Sequence, residues 1–83
     1  MKWLDKLLNK FGYVRVDSIK IYPEFKKRPP RTEKMIAKKV YYNITGHFEQ
    51  PIKLNKMRFL EDGYTSYLIA KERNFKYVKV KFI

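Results

Sequence analysis

Within the segment FLEDGYTSYLIAKERNFKYVKV, Phe59 to Val80, the residues Asp62, Gly63, Tyr64, Thr65 and Ser66 gather a carboxylate, a glycine and hydroxyls in one turn. A strand that passes through glycine into a helix leaves the first helical amides free to meet an anion. The hydroxyls of Thr65 and Ser66 add donors to such a cradle. Asp62 reads two ways, as a metal ligand or base, or as the cap of a helix beginning at Tyr64. The cap is the simpler reading. A carboxylate there repels phosphate, and Glu61 makes the turn more acidic still, so a nucleotide would have to arrive with Mg²⁺.

His47 is the only histidine, and its intrinsic pKa suits acid–base work near neutral pH. It has no evident catalytic partner in the sequence, so a loop histidine making one hydrogen bond is the plainer interpretation. Cysteine is absent. That removes disulfides, thiolate metal sites and cysteine nucleophiles, fits a reducing compartment, and with a single histidine argues against zinc.

The elements that position this turn belong to one small domain of 83 residues, 45% hydrophobic and 17% aromatic, enough for a single core. Lys2, Lys6 and Lys10 alternate with Trp3, Leu4, Leu7, Leu8 and Phe11, which predicts an amphipathic helix over residues 1–12 closed by Gly12. Such a helix packs on its own domain or captures a protein partner; a membrane role is disfavoured. Val14, Val16, Ile19 and Ile21 predict a half-buried strand broken near Asp17-Ser18 and stopped by Pro23. EFKKRPPR reads as a loop, since its prolines oppose a helix.

A second helix is expected from Thr32, its N-cap, to Gly46, with Met35, Ile36, Val40 and Ile44 inward and Lys34, Lys38 and Lys39 outward. QPIKLNKMRFLEDG predicts a hairpin turning at Asn55-Lys56. A third helix follows from Tyr64 to Arg73, with Tyr67, Leu68, Ile69 and Ala70 buried and Asn74 at its left-handed end. The closing strand points Val78, Val80 and Phe82 inward and Tyr77, Lys79 and Lys81 outward. The order implies an α+β fold, a small mixed sheet with packed helices.

Charge sets the expected partner. Lys and Arg number 20 against 8 Asp and Glu, a net +12, which points to a polyanion, nucleic acid first. Lys26, Lys27, Arg28, Arg31, Lys34, Lys38 and Lys39 form the expected contact cluster, the bland alternative being a solvated lysine coat. Tyr41, Tyr42, Phe48, Tyr64 and Tyr67 are candidates for stacking bases, although most aromatics of so small a domain are core; Tyr64 is the one expected to be exposed. No stretch reaches the ~20 apolar residues of a membrane span, and no signal-peptide core is evident at the N-terminus, so a cytoplasmic chain is expected.

A strand ending in IKIYP, a loop with PPR, a helix, Gly46, Gln50-Pro51-Ile52, and then Asp62, Gly63, Tyr67, Ala70 and Lys71 at D-G-x-x-x-Y-x-x-A-K spacing resemble the ParB/sulfiredoxin superfamily. The resemblance spans roughly residues 16–83 and places the ParB/sulfiredoxin-like domain at 13–83, after the added N-terminal helix. It implies a pocket at the Gly63 turn, met by the loop Gly46, His47 to Gln50 on one side and by Arg31 with Lys34 on the other. The chain departs from the family where the family does chemistry. Cytidine triphosphate-binding ParB proteins carry G-E-R-R, and sulfiredoxins G-C-H-R, where this chain has Gly63, Tyr64, Thr65 and Ser66. ParB-like nucleases keep an acidic residue, a His or an Arg in this turn, and only Asp62 remains. The expectation is therefore a non-catalytic, nucleic-acid-associated accessory module of a plasmid, phage or mobile-element type. The rivals are a nucleoside triphosphate–Mg²⁺ switch or weak hydrolase at the Gly63 turn, and a protein-interaction module acting through residues 1–12.

Overall fold

Alternation of Val78 and Val80 with Lys79 and Lys81 makes β4, Tyr77–Phe82, the central strand of the domain. In the computed structural model, which describes residues 2–83, β4 pairs with β1 (Tyr13–Arg15) antiparallel and with β2 (Ile52–Leu54) parallel. β3 (Leu60–Asp62) adds antiparallel to β2, giving a four-stranded mixed sheet of order β1-β4-β2-β3. The helices are α1 (Lys2–Lys10), α2 (Pro23–Lys27), α3 (Thr32–Thr45) and α4 (Tyr64–Glu72). The fold is α+β. Met1, included in the expected first helix, lies outside the described residues.

One face of the sheet supplies the core. Val14, Ile52, Leu54, Leu60, Val78 and Val80 are all buried there, and α4 adds Tyr67 and Ala70. The first strand breaks at Val16–Ser18, as the sequence suggests, into a single 3-10 turn. The chain then rejoins the sheet through one parallel bridge between Lys20 and Phe59. Asn74 takes the left-handed conformation (φ 57°) after α4.

Several expectations are corrected. EFKKRPPR is not wholly loop: Pro23 begins the short helix α2, where its missing N–H costs nothing. Arg31, not Thr32, is the N-cap residue of α3, with no side-chain cap bond. The hairpin turn is wider than two residues. Asn55 Oδ1 accepts from the amides of Met57 (2.9 Å) and Phe59 (3.1 Å), folding the intervening residues outward. Phe82, expected inward, is exposed at the last position of β4, although its pairing partner Leu54 is buried.

The largest difference is the orientation of α3. Ile36, Val40 and Ile44 face solvent, Ile44 at 79% exposure, and only Met35 of the expected apolar face is half-buried. The helix docks instead through Tyr42, whose ring lies 4.7 Å from that of Phe48 and 5.7 Å from that of Phe75. Lys38 and Lys39 lie on the packed side and reach Glu49 and Glu72. Long lysine stems cover apolar surface while their ammonium groups find carboxylates, so the lysines serve as packing residues here.

The first helix divides its apolar face. Leu4 and Leu8 are half-buried, whereas Trp3 (64%), Leu7 (46%) and Phe11 (66%) are exposed. Asp5 anchors the helix by accepting a 2.6 Å hydrogen bond from the Tyr77 hydroxyl. That bond lowers the Asp5 carboxyl below its ordinary range and raises the Tyr77 phenol.

Candidate functional site

The Gly63 turn is built from two directions. β3 delivers Asp62, and the chain enters α4 through Gly63 at φ 88°, which is the N-cap residue. A Cβ at Gly63 would lie 2.5 Å from the Pro51 carbonyl oxygen and 2.8 Å from the Ile52 Cα. Glycine is therefore required by the backbone of the incoming β2, and the close approach expected of an anion is made by the protein itself. Asp62 does not cap the amides inside α4. Its Oδ1 accepts from Gln50 Nε2 (2.7 Å) and from the Gly63 amide (2.9 Å), tying the loop before β2 to the turn.

The hydroxyls divide similarly. Ser66 is buried and donates to the Gln50 carbonyl at 2.7 Å, so it is unavailable to a ligand. Thr65 is 4% exposed yet lines the cleft in front of the turn. Tyr64, expected in the open, is half-buried, 5.2 Å from the Phe25 ring and stacked on Tyr67 at 6.1 Å. Glu61 points away from the cleft into a separate network. It accepts from the Tyr22 hydroxyl (2.8 Å) and from Asn55 Nδ2 (2.8 Å), and the first of these bonds raises the Tyr22 phenol above its ordinary value. The expected local acidity of the turn is thus reduced to Asp62.

The cleft in front of the turn holds about 230 Å³ and is lined by Phe25, Arg28, Lys34, Gln50, Gly63 and Thr65, among others. The structure therefore gathers the expected Lys34, Gln50, Asp62, Gly63, Tyr64 and Thr65 around one space and adds Arg28, expected only in the polyanion cluster. Gly46 and His47 are placed elsewhere. They line a second groove of about 320 Å³ at the C-terminal end of α3, where His47 sits edge-on to Tyr41 at 5.7 Å. Arg31 is exposed ahead of α3 and does not line the cleft. Among the described residues no group of three or more His, Cys, Asp or Glu converges, so the cleft offers a metal no ligand set of its own.

The expected basic cluster is also divided. Lys26, Lys27, Arg28, Arg31 and Lys34 are exposed, whereas Lys38 and Lys39 are half-buried and neutralised by Glu49 and Glu72. Among the described residues the only other ion pair is Arg15–Asp17, and the remaining cations have no carboxylate partner. None of the described helices is long and apolar enough to cross a membrane.

No family model and no curated protein matches the chain. Solved structures do. One, the structure of the C2221 form of a pNOB8-like ParB N-domain, superposes with a TM-score of 0.69 at 26% identity, covering 84% of this chain and 28% of that one. A second structure, of a pNOB8-like ParB N-domain, gives 0.68 at 27% identity, covering 84% and 25%. The chain thus spans about a quarter of the length of the chains it matches. The shared architecture over most of this chain, with the D-G-x-x-x-Y-x-x-A-K spacing carried by the strand-turn-helix just described, gives it a ParB-like domain fold.

Proposed function

We propose that this ParB-like domain is a non-catalytic module that associates with nucleic acid through its basic surface, of the kind used by plasmids, phages or mobile elements. One observation carries the reading: 20 basic residues face 8 acidic ones, and the few ion pairs leave the α2 end and the following loop uncompensated. Such a surface binds a polyanion by releasing its condensed counterions. The turn supports the non-catalytic part of this reading. Its hydroxyl at Ser66 is engaged, its carboxylate at Asp62 is engaged, and Tyr64 stands where the family's reactive groups do.

The test is duplex DNA binding across a salt series. The log–log slope is expected to be steep, and the triple variant K26E/K27E/R28E should make it shallower by about 0.9 for each phosphate it no longer neutralises. Binding that is missing at low salt, or a triple variant indistinguishable from the parent, would overturn the reading.

A second reading is favoured by Arg28 and Lys34 converging with the α4 N-terminus on the 230 Å³ cleft. That volume is below the ~300–1,000 Å³ typical of small-molecule sites, so a triphosphate would insert a phosphate there and leave its base outside. On this reading Arg28→Ala and Lys34→Ala each weaken nucleotide binding in the presence of Mg²⁺, measured by calorimetry. Affinity unchanged from the parent in both variants would reject the cleft as the site.

A further inference from the structure

We propose that the outer face of the sheet, with the groove beside it, binds single-stranded nucleic acid: unpaired bases stack on its aromatic rings and phosphates meet Lys53, Lys79 and Lys81. The outer face is the one opposite the core. Period-two alternation puts Tyr77, Lys79 and Lys81 of β4 on it, and the pairing register sets Tyr13 beside Lys79, Arg15 beside Tyr77 and Lys53 beside Lys81. Rings and cations therefore interleave across three adjacent strands; at one end Tyr77 holds Asp5 of α1 and Arg15 pairs with Asp17, which leaves Lys53, Lys79 and Lys81 as the free cations of this face among the described residues. Lys79 and Lys81 are exposed, Tyr13 is 37% exposed, and none of Lys53, Lys79 and Lys81 has an ion-pair partner among the described residues.

The register itself favours an anion. Like charges at directly paired positions of a sheet destabilise it, and Lys53 stands beside Lys81. Asp62, which pairs with Lys53 from the other side, is held by Gln50 and the Gly63 amide. A phosphate lying over the sheet would relieve the repulsion. The groove adds the ring surface. Tyr13 and Tyr77 on the sheet face Tyr42, Phe48 and Phe75 across about 320 Å³, and Arg73 lies 5.5 Å over the Tyr42 ring. A concave slot of that size admits a single base with its sugar and excludes a double helix. Aromatic platforms between backbone-tracking cations are the general means of holding single strands. This surface is distinct from the α2 loop that carries the duplex reading, and the two stand or fall separately.

The test uses the full chain and a fluorescent oligo(dT) of about 12 nucleotides, within the span one such platform holds, with a duplex of equal length as control. Tyr13→Ala should weaken oligo(dT) binding about tenfold, within the range for removing one stacked base, and leave duplex binding unchanged. K79A/K81A should lower the salt slope for oligo(dT) by about 0.7 for each phosphate left without its lysine. On the unmodified chain, oligo(dT) should shift the amides of Tyr13, Tyr42, Phe48 and Lys79 and leave Gly63 and Thr65 in place; this measurement holds even if a variant folds poorly. The proposal is overturned if oligo(dT) does not bind at low salt or if Tyr13→Ala changes its affinity less than twofold. It is equally overturned if duplex competes equally for the same amides.

Discussion

Gly46 and Gly63 both sit in the left-handed region, at φ 78° and 88°, but the space around them differs. A Cβ at Gly46 meets nothing within 4 Å, whereas one at Gly63 runs into the backbone of Pro51 and Ile52. Left-handed strain alone costs roughly 1–2 kcal/mol. A clash with a backbone oxygen that cannot swing aside adds about 1–3 kcal/mol. Gly46→Ala should therefore cost about 1–2 kcal/mol and Gly63→Ala about 2–5 kcal/mol in urea unfolding. Equal losses would show that the approach of β2 is not what fixes the glycine. The strand-to-helix step at Gly63 was legible in the sequence as a special backbone position. Its cause was not, because the crowding backbone is that of Pro51 and Ile52, brought in from the other arm of the hairpin.

At the scale of elements, α3 shows where pattern reading fails. Its aliphatic residues predict one face and its packing uses another, because the aromatic triad Tyr42, Phe48 and Phe75 offers more area than branched aliphatics, and its lysines are paired by Glu49 and Glu72. Ile44→Ser should accordingly change stability by no more than about 0.5 kcal/mol, the range of ordinary surface substitutions. Tyr42→Ala should cost about 2 kcal/mol, below the ~3–5 kcal/mol of a fully buried aromatic because the ring is only half-buried. The reverse ranking in thermal melts would contradict the observed orientation.

The hold on α1 is electrostatic as well as apolar, and its pH dependence has a definite sign. Asp5 has a lowered pKa, so its contribution is complete above the ordinary carboxylate value near ~3.9 and is lost as pH falls through the folded value. Tyr77 has a raised pKa, so its contribution is complete below ~10 and is lost as pH rises through the folded value. Opening of α1, read from amide exchange corrected for its intrinsic pH dependence, should be rarest between those limits. Tyr77→Phe should make it more frequent and remove both pH dependences, leaving β4 protected. Exchange in α1 that is unaffected by Tyr77→Phe would show that Leu4 and Leu8 hold the helix unaided. The helix itself was legible from lysine and leucine spacing, but its half-open face was not. Spacing alone does not show how much of an apolar face the rest of the chain covers.

Across the whole molecule, composition and architecture were the most legible features. The α+β class, the break near Asp17, the burial of Val78 and Val80 and the left-handed Asn74 all follow from local chemistry that tertiary packing reinforces. The site was legible in part. The resemblance grouped Gly46, His47 and Gln50 with Asp62 and Gly63; hydrogen bonds join Gln50, Asp62 and Gly63, whereas Gly46 and His47 line the other groove. Their neighbours in space are the rings of α3 and the outer sheet face, which only the sheet order β1-β4-β2-β3 brings near. Two of the molecule's basic surfaces lie apart: the loop at one end of α3 and a lysine-lined sheet face beside the other.

The most direct test of the central claim, that the basic loop is the duplex-binding surface of this ParB-like domain, is an amide chemical-shift titration with a short DNA duplex at low salt. Lys26, Lys27, Arg28, Arg31 and Lys34 should shift saturably and return as salt is raised, with Gly46 and Ile44 unmoved. Absence of saturable shifts, or shifts confined to residues outside that loop, would contradict it.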